Sequence, residues 1–444
     1  MGRPAPLLDV HQMSFVRRQQ GWTYRDLAEV LGARVGMAAN PQKAWRWEHR
    51  GVVPDEDTQR ALAAELGVSV GRLKSNPWPA WLPAGEAVPT ALPWTRDGCL
   101  QLLDRTVDSM TDRRAFLTLS AGAAAAMATT WATAKEPPVQ DCEAQGDDLL
   151  VAFEQRLPLM REMEARQDGE SARIVLDTEL RNATALLRSE TLGAAGDRRL
   201  LAVVAELARL TGWASVDAGR HAAAETYFTA GLRAAHQAGD LLTGANILKC
   251  TSLMLLDHHR VNEAVSVTWI AQTRAATGPA RVRAMLAVRH ARALAARRDG
   301  HGAEHLLLQA DAAMDRAHGQ DKSISVPDWA RYFDTAEYSA QVASVYLALG
   351  RHAAAERWLD QALALHPTDR RDSLTYLLWR AEAAISGGRV DQGCTLAAEA
   401  LPRLAGSASV RNRGRFAEVR SLLRQHRTLP EVRELDERTR TLVA

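Results

Sequence analysis

The stretch Gly-Arg-His-Ala-Ala-Ala-Glu occurs twice in this chain, at residues 219–225 and again at 350–356. A chain that repeats itself is built from stacked supersecondary units, none of which can bury its apolar face alone. The surroundings agree. From about Asp147 onward there are few prolines, no two-residue alternation, and sustained apolar spacing of helical period, which indicates amphipathic helices. Turn positions fall at Gly219, His259, Gly300, Gly350 and Gly388, separated by 40, 41, 50 and 38 residues. His259 stands where its counterparts carry glycine. A break at Ser325-Val326-Pro327-Asp328-Trp329 precedes a new helix, and helices from about Arg413 would cap the array. The expected fold is all-α, with a C-terminal α-solenoid of helical hairpins.

In the second copy Ala343 and Tyr346 lie on one helix, Gly350 in the turn, Ala355, Leu359 and Ala362 on the next helix, and Pro367 at its end. The first copy has Gly212, Gly219, Ala224, Phe228 and Gly231 at corresponding places. Other units carry Ala264, and Ala381, Gly388 and Ala400. The pattern resembles the tetratricopeptide repeat, whose usual length is about 34 residues, so longer helices or loops are implied here. The physical logic is small against large: alanines let two helices approach while Tyr346 and Leu359 fill the gaps. Such arrays present a concave face built from first helices. By register Glu206, Arg209, Trp213 and Asp217 would face inward, then Asn246 and Lys249, then Ser344 and Glu382. Arg209, Trp213, Asn246 and Lys249 are the candidate groove residues for an extended peptide. The plainer reading is solvated polar positions with Trp213 as packing.

The N-terminal region reads differently. Trp22-Thr23-Tyr24-Arg25-Asp26-Leu27-Ala28-Glu29-Val30-Leu31-Gly32 is a short helix with Thr23 as N-cap, Leu27, Ala28 and Leu31 on one face, and Gly32 as a left-handed stop. Asn40-Pro41 announces a second helix running to Glu48 and stopping near Gly51. Pro54 and Asp57 introduce a third, with Leu62 and Leu66 one turn apart and Gly67 after its end. With Trp47, Leu62-Ala63, Leu66-Gly67-Val68 and Leu73 in this order, the stretch resembles the XRE family of lambda-repressor-like helix-turn-helix proteins. The resemblance implies that the helix from Asn40 is the recognition helix, with Gln42 and Lys43 outward and Arg46 one turn on. Gln suits adenine, and Lys or Arg suits guanine. Thr23, Tyr24 and Arg25 would meet phosphates at the opening of the preceding helix. The candidate DNA-binding residues are thus Thr23, Tyr24, Arg25, Asn40, Gln42, Lys43 and Arg46. A plain solvated face is the alternative for the cations. The family passes from the Leu-Gly stop to the recognition helix in few residues, whereas Ala33 to Ala39 intervene here. That insertion is either a longer turn carrying Arg34 toward the DNA backbone or an extension of a helix. Ala44 stands where a larger residue usually plugs the core, so Trp45 either compensates or points outward.

Between these regions Pro77, Pro79, Pro83, Pro89 and Pro93 form a semi-rigid connector. Trp78, Trp81 and Trp94 lie among them and are expected to pack on a domain surface. Asp112-Arg113-Arg114-Ala115-Phe116-Leu117, with an Ala-rich run to Trp131, looks like a twin-arginine export signal. Three readings stand: a buried or interfacial helix, a membrane tether, or a true signal behind a misplaced start. The domains expected are 8–76 for DNA binding, 77–146 for the connector and Ala-rich helix, and 147–444 for the repeats.

Composition bounds the rest. The formal net charge is +2 over 444 residues, but residues 1–76 hold 11 Lys/Arg and 8 Asp/Glu. A weakly basic N-terminal module on a neutral body fits a DNA reader joined to something else. Cys99, Cys142, Cys250 and Cys394 form no C-x-x-C pair, so neither zinc nor a redox motif is indicated, and buried reduced thiols are expected. There is no phosphate-cradling glycine motif, and His258-His259 diverge on a helix and make a poor metal pair. No cofactor, metal or catalytic set is expected. The whole chain resembles actinobacterial XRE-type regulators with a C-terminal tetratricopeptide-like domain. That implies a cytoplasmic, homodimeric, operator-binding regulator sensing a peptide, small molecule or partner protein. A non-catalytic tetratricopeptide scaffold or adaptor with a degenerate DNA-binding domain, free or membrane-associated, is the alternative.

Overall fold

The computed structural model describes residues 13, 16–17, 22–35, 40–50, 52–65, 73, 78–79, 81–82, 92–109, 123–137, 148–320, 325–365, 371–406 and 409–443. Among them every regular element is helical, with no strand. They group into two compact units. One is built from residues up to 82; the other comprises residues 92–108, 123–137 and everything from 148 on. The connector is therefore divided between the units. Trp81 is buried in the core of the first, donating Nε1–H to Gln59 Oε1 at 2.9 Å. Trp94 belongs to the second, edge-on to His236 and under the Arg233 guanidinium.

The first unit holds α1 (Tyr24–Val35), α2 (Pro41–His49) and α3 (Glu56–Glu65). Leu27, Leu31, Ala44, Trp47, Leu62 and Trp81 share its core. Thr23 and Asp26 cap α1 reciprocally. The Thr23 amide donates to Asp26 Oδ2 at 2.8 Å, and the Asp26 amide to Thr23 Oγ1 at 3.2 Å. Asp55 caps α3 through the Thr58 amide. Gly32 does not stop α1: the helix continues through Val35. A mid-helix glycine costs about 1 kcal/mol, which the ion pair between Arg34 and Glu65 of α3 helps offset. Of the two readings of the insertion, the structure thus shows the extended helix, with Arg34 at its end paired to α3. Gly51, Leu66, Gly67 and Val68 lie outside the described residues.

The second unit begins with α4 (Arg96–Ser109), α5 (Ala123–Thr133), α6 (Asp148–Arg166) and α7 (Gly169–Arg188). Helices packed in series follow: α8 (Gly193–Asp217), α9 (His221–Ala238), α10 (Leu241–Asp257), α11 (Val261–Arg274), α12 (Ala280–Ala296) and α13 (Gly300–Gln320). After a short 3-10 turn at Asp328–Ala330 come α14 (Thr335–Ala348), α15 (His352–Leu365), α16 (Arg371–Ser386) and α17 (Val390–Ala405). α18 (Val410–Leu423) and α19 (Pro430–Val443) end the chain. The helices pair as α8/α9, α10/α11, α12/α13, α14/α15 and α16/α17, and α8, α10, α12, α14 and α16 each pack on the next.

One turn closes these pairs. Gly219 adopts φ +74°; its amide donates to Val216 O and the next amide, of Arg220, to Ser215 O. This is the left-handed helix stop with paired back-bonds. It recurs at His259 (φ +57°), Gly350 and Gly388. At the remaining turn Arg298, not Gly300, is the left-handed residue, and Gly300 opens the next helix. Close approach also depends on missing side chains: a Cβ on Gly212 would lie 2.5 Å from the Phe228 ring. Ala343, Ala355, Leu359 and Ala362 are all fully buried.

The Ala-rich segment resolves in part. Arg113 and Arg114 lie outside the described residues, but α5 packs against α9 and α11 through Ala124, Met127, Ala128 and Trp131. Gly244 makes room for the Trp131 ring. No described helix is long and apolar enough to cross a membrane. Cys99, Cys250 and Cys394 are buried and unbridged, and burial pushes the Cys99 thiol up to about 12.

Candidate nucleic-acid interface and ligand cavity

In the first unit the side chains of α2 divide sharply. Ala44, Trp47 and Glu48 are buried, whereas Gln42, Lys43, Trp45, Arg46, His49 and Arg50 are exposed. Asn40 caps the helix, its Oδ1 accepting the Gln42 amide at 2.9 Å, with Pro41 in the first turn. The helix is pinned from behind. Buried Glu48 accepts from Arg17 Nε at 2.6 Å and Nη2 at 3.3 Å, and from the Tyr24 hydroxyl at 2.8 Å. Arg17 also lies 4.0 Å over the Tyr24 ring. Tyr24 therefore spends its hydroxyl inside the unit, while Thr23 and Arg25 are exposed at the opening of α1.

The outward face carries a feature that residue-type reasoning left open. Trp45 points outward, stacked on His49 at 4.8 Å and 9°, with Arg50 5.8 Å from its ring centroid. Ala44 seals the core without help because Trp47 fills the space. Chain order alone does not separate Trp45 from Trp47; the signal was their spacing from Ala44, which puts Trp47 on the same side one turn on.

In the second unit the first helices line a half-open cavity of about 660 Å³, within the range of small-molecule sites. Arg209 and Trp213 of α8, Lys249 and Cys250 of α10, Arg289 and Arg292 of α12, Gln341 of α14 and Tyr376 and Trp379 of α16 all line it. Three of the expected groove residues, Arg209, Trp213 and Lys249, thus come together there. Asn246 lies one turn before Lys249 on α10, buried, with both amide atoms lacking a hydrogen-bond partner.

The inner face is partly covered. α6 lines one side through Pro158, Arg161 and Glu164, and a strap from Asp328 to Asp334 crosses another. Trp329 Nε1 on the strap bonds Thr243 Oγ1, and Lys249 Nζ donates to Tyr332 Oη at 2.8 Å. The array also closes on itself. Arg371 of α16 pairs with Glu164 of α6 at 2.7 Å, and Ser409 Oγ donates to buried Asp217 of α8 at 2.7 Å. Nothing in the repeat register announces that flanking helices return to cover the inner face.

Charge is balanced over most of the wall. Glu206 is buried between Arg161 and Arg209, both at 2.9 Å; burial alone would raise its carboxyl, but the two guanidiniums outweigh that and hold it low. Asp372 pairs with Arg411, and Glu337 accepts from Tyr376 and Gln341. Comparison with family models, curated proteins and solved structures returned no match.

Proposed function

We propose that this chain is a sequence-specific DNA-binding transcriptional regulator of the lambda-repressor-like type. In this reading α2 is the recognition helix, and the tetratricopeptide-like array dimerises and receives a chemical signal in the cytoplasm. The observation that carries the reading is the division of α2. A helix anchored by Ala44, Trp47 and the Glu48 network offers Gln42, Lys43 and Arg46 to solvent from its first turns, where base-reading side chains are needed. Asn40, Thr23 and Arg25 stand near the helix openings, where amides and cations meet phosphates. Trp45 adds an apolar surface on the same face, suited to a thymine methyl. Dimerisation is part of the proposal because one such helix discriminates few base pairs, and two half-sites roughly 34–36 Å apart supply the rest.

The test is binding-site selection from random duplexes with full-length protein at near-physiological salt, beside the Lys43→Ala/Arg46→Ala variant. The regulator enriches a palindrome with wild type and loses it with the variant. A scaffold with a degenerate first unit enriches nothing, or enriches equally with both.

A further inference from the structure

Two arginines lining the cavity of the second unit stand outside the ion pairs that its other arginines make. Arg161 and Arg209 share Glu206, Arg331 pairs with Asp328, and Arg411 pairs with Asp372. Among the described residues neither Arg289 nor Arg292 has an ion-pair partner. Arg289 is only 4% exposed, and its Nε and Nη1 are buried without any hydrogen-bond acceptor. Arg292, one turn-step along the same helix, lies 5.1 Å over the Trp379 ring. Burial, reinforced by repulsion from Arg415 and Arg289, pushes its guanidinium down to about 9. Gln341, 6% exposed on the neighbouring helix α14, has Oε1 unpartnered.

A buried, unpaired guanidinium is expensive. Folding tolerates it where something outside the chain completes the site. Arg289 is such a group and Arg292 follows three residues on along the same helix; five donors each in a planar fork suit an oxyanion, and water alone would not relieve the charge. Trp379 lies under Arg292, and Trp213 and Tyr332 line the same cavity. We infer that this cavity binds a small organic acid with an aromatic or apolar body, its carboxylate or phosphate seated on Arg289 and Arg292. The inference deepens the sensor role proposed above by naming the class of signal. Binding itself stands or falls without reference to DNA.

The probe is 8-anilinonaphthalene-1-sulfonate, an organic anion with a flat apolar body, titrated into full-length protein and followed by its fluorescence. The expected result is saturable binding at one site per chain. Arg289→Gln/Arg292→Gln weakens it by about tenfold or more, the loss of a charge-assisted hydrogen bond. The uncharged N-phenyl-1-naphthylamine binds wild type and variant alike, and the surface change Arg298→Gln moves neither probe. Removing unpaired buried charge also raises the thermal midpoint of the variant, so lost binding is not lost folding. Displacement by 1-naphthoate or by 1-naphthyl phosphate identifies the acid group. Absence of saturable binding, equal affinity in the double variant, or displacement by neither acid overturns the inference. The operator selection described above is read separately, so either proposal can fail alone.

Discussion

Replacing Glu48 with alanine is expected to unhinge α2. The carboxylate is buried and holds the Arg17 guanidinium through two hydrogen bonds and the Tyr24 hydroxyl through a third. Those bonds tie α2 to the residues before α1 and to the first turn of α1. Arg17 is itself only 12% exposed at its side chain, so Glu48→Ala leaves a largely desolvated cation without a counter-charge. Breaking a buried pair from one side costs about 3–5 kcal/mol. A unit of this size has a total stability on the order of 4–10 kcal/mol, so much of it is lost. The assay is hydrogen exchange resolved by mass spectrometry. Amides of α2 should lose protection by roughly two to three orders of magnitude, while α8 to α17, with a core of their own, keep theirs. Arg17→Met/Glu48→Leu should recover most of the loss, because an apolar replacement of both partners leaves no buried charge. A change below about fivefold in α2, or a double variant no better than Glu48→Ala, would refute the claim that this network anchors the helix.

Three further expectations concern the second unit. Val at Gly212 would drive its branched side chain into the Phe228 ring, already 2.5 Å from an added Cβ; denaturant unfolding should show a loss of about 1–3 kcal/mol, partly restored by Phe228→Leu. Gly in place of His259, the non-glycine residue held at φ +57°, should raise stability by about 1 kcal/mol; an unchanged or lowered midpoint would mean that the His259 side chain contributes contacts of its own. His290 is buried against Gln272, and burial, with Arg297 adding to it, pushes its imidazole down to about 4. The unfolded chain then binds the extra proton between pH 6.5 and about 4. Stability from this residue is full above that window and falls as pH drops through it, by at most about 1.4 kcal/mol per pH unit. His290→Gln should flatten that part of the pH profile, and an unaltered slope between wild type and variant would contradict it.

Local information decided a great deal here. Apolar spacing, Asn40-Pro41, the duplicated Gly-Arg-His-Ala-Ala-Ala-Glu and the turn at His259 are properties of neighbours along the chain, and they placed helices, caps and hairpins because backbone geometry responds to nearby residues. Where two local solutions cost nearly the same, the contact across space chose: Gly32 is carried inside α1 by packing and by the Arg34 ion pair with Glu65, and Arg298 rather than Gly300 takes the left-handed turn. The inward faces of α8 and α10 were legible for the same reason, since helical register fixes which side Arg209, Trp213 and Lys249 share. The cavity itself was not. It exists because α6 and α18 return over residues far away in sequence, through Glu164 with Arg371 and Ser409 with Asp217, and no periodicity encodes such a meeting. The same holds for its charge: sequence lists the cations and carboxylates, but only the folded chain decides which are paired, and among the described residues Arg289 and Arg292 make no ion pair.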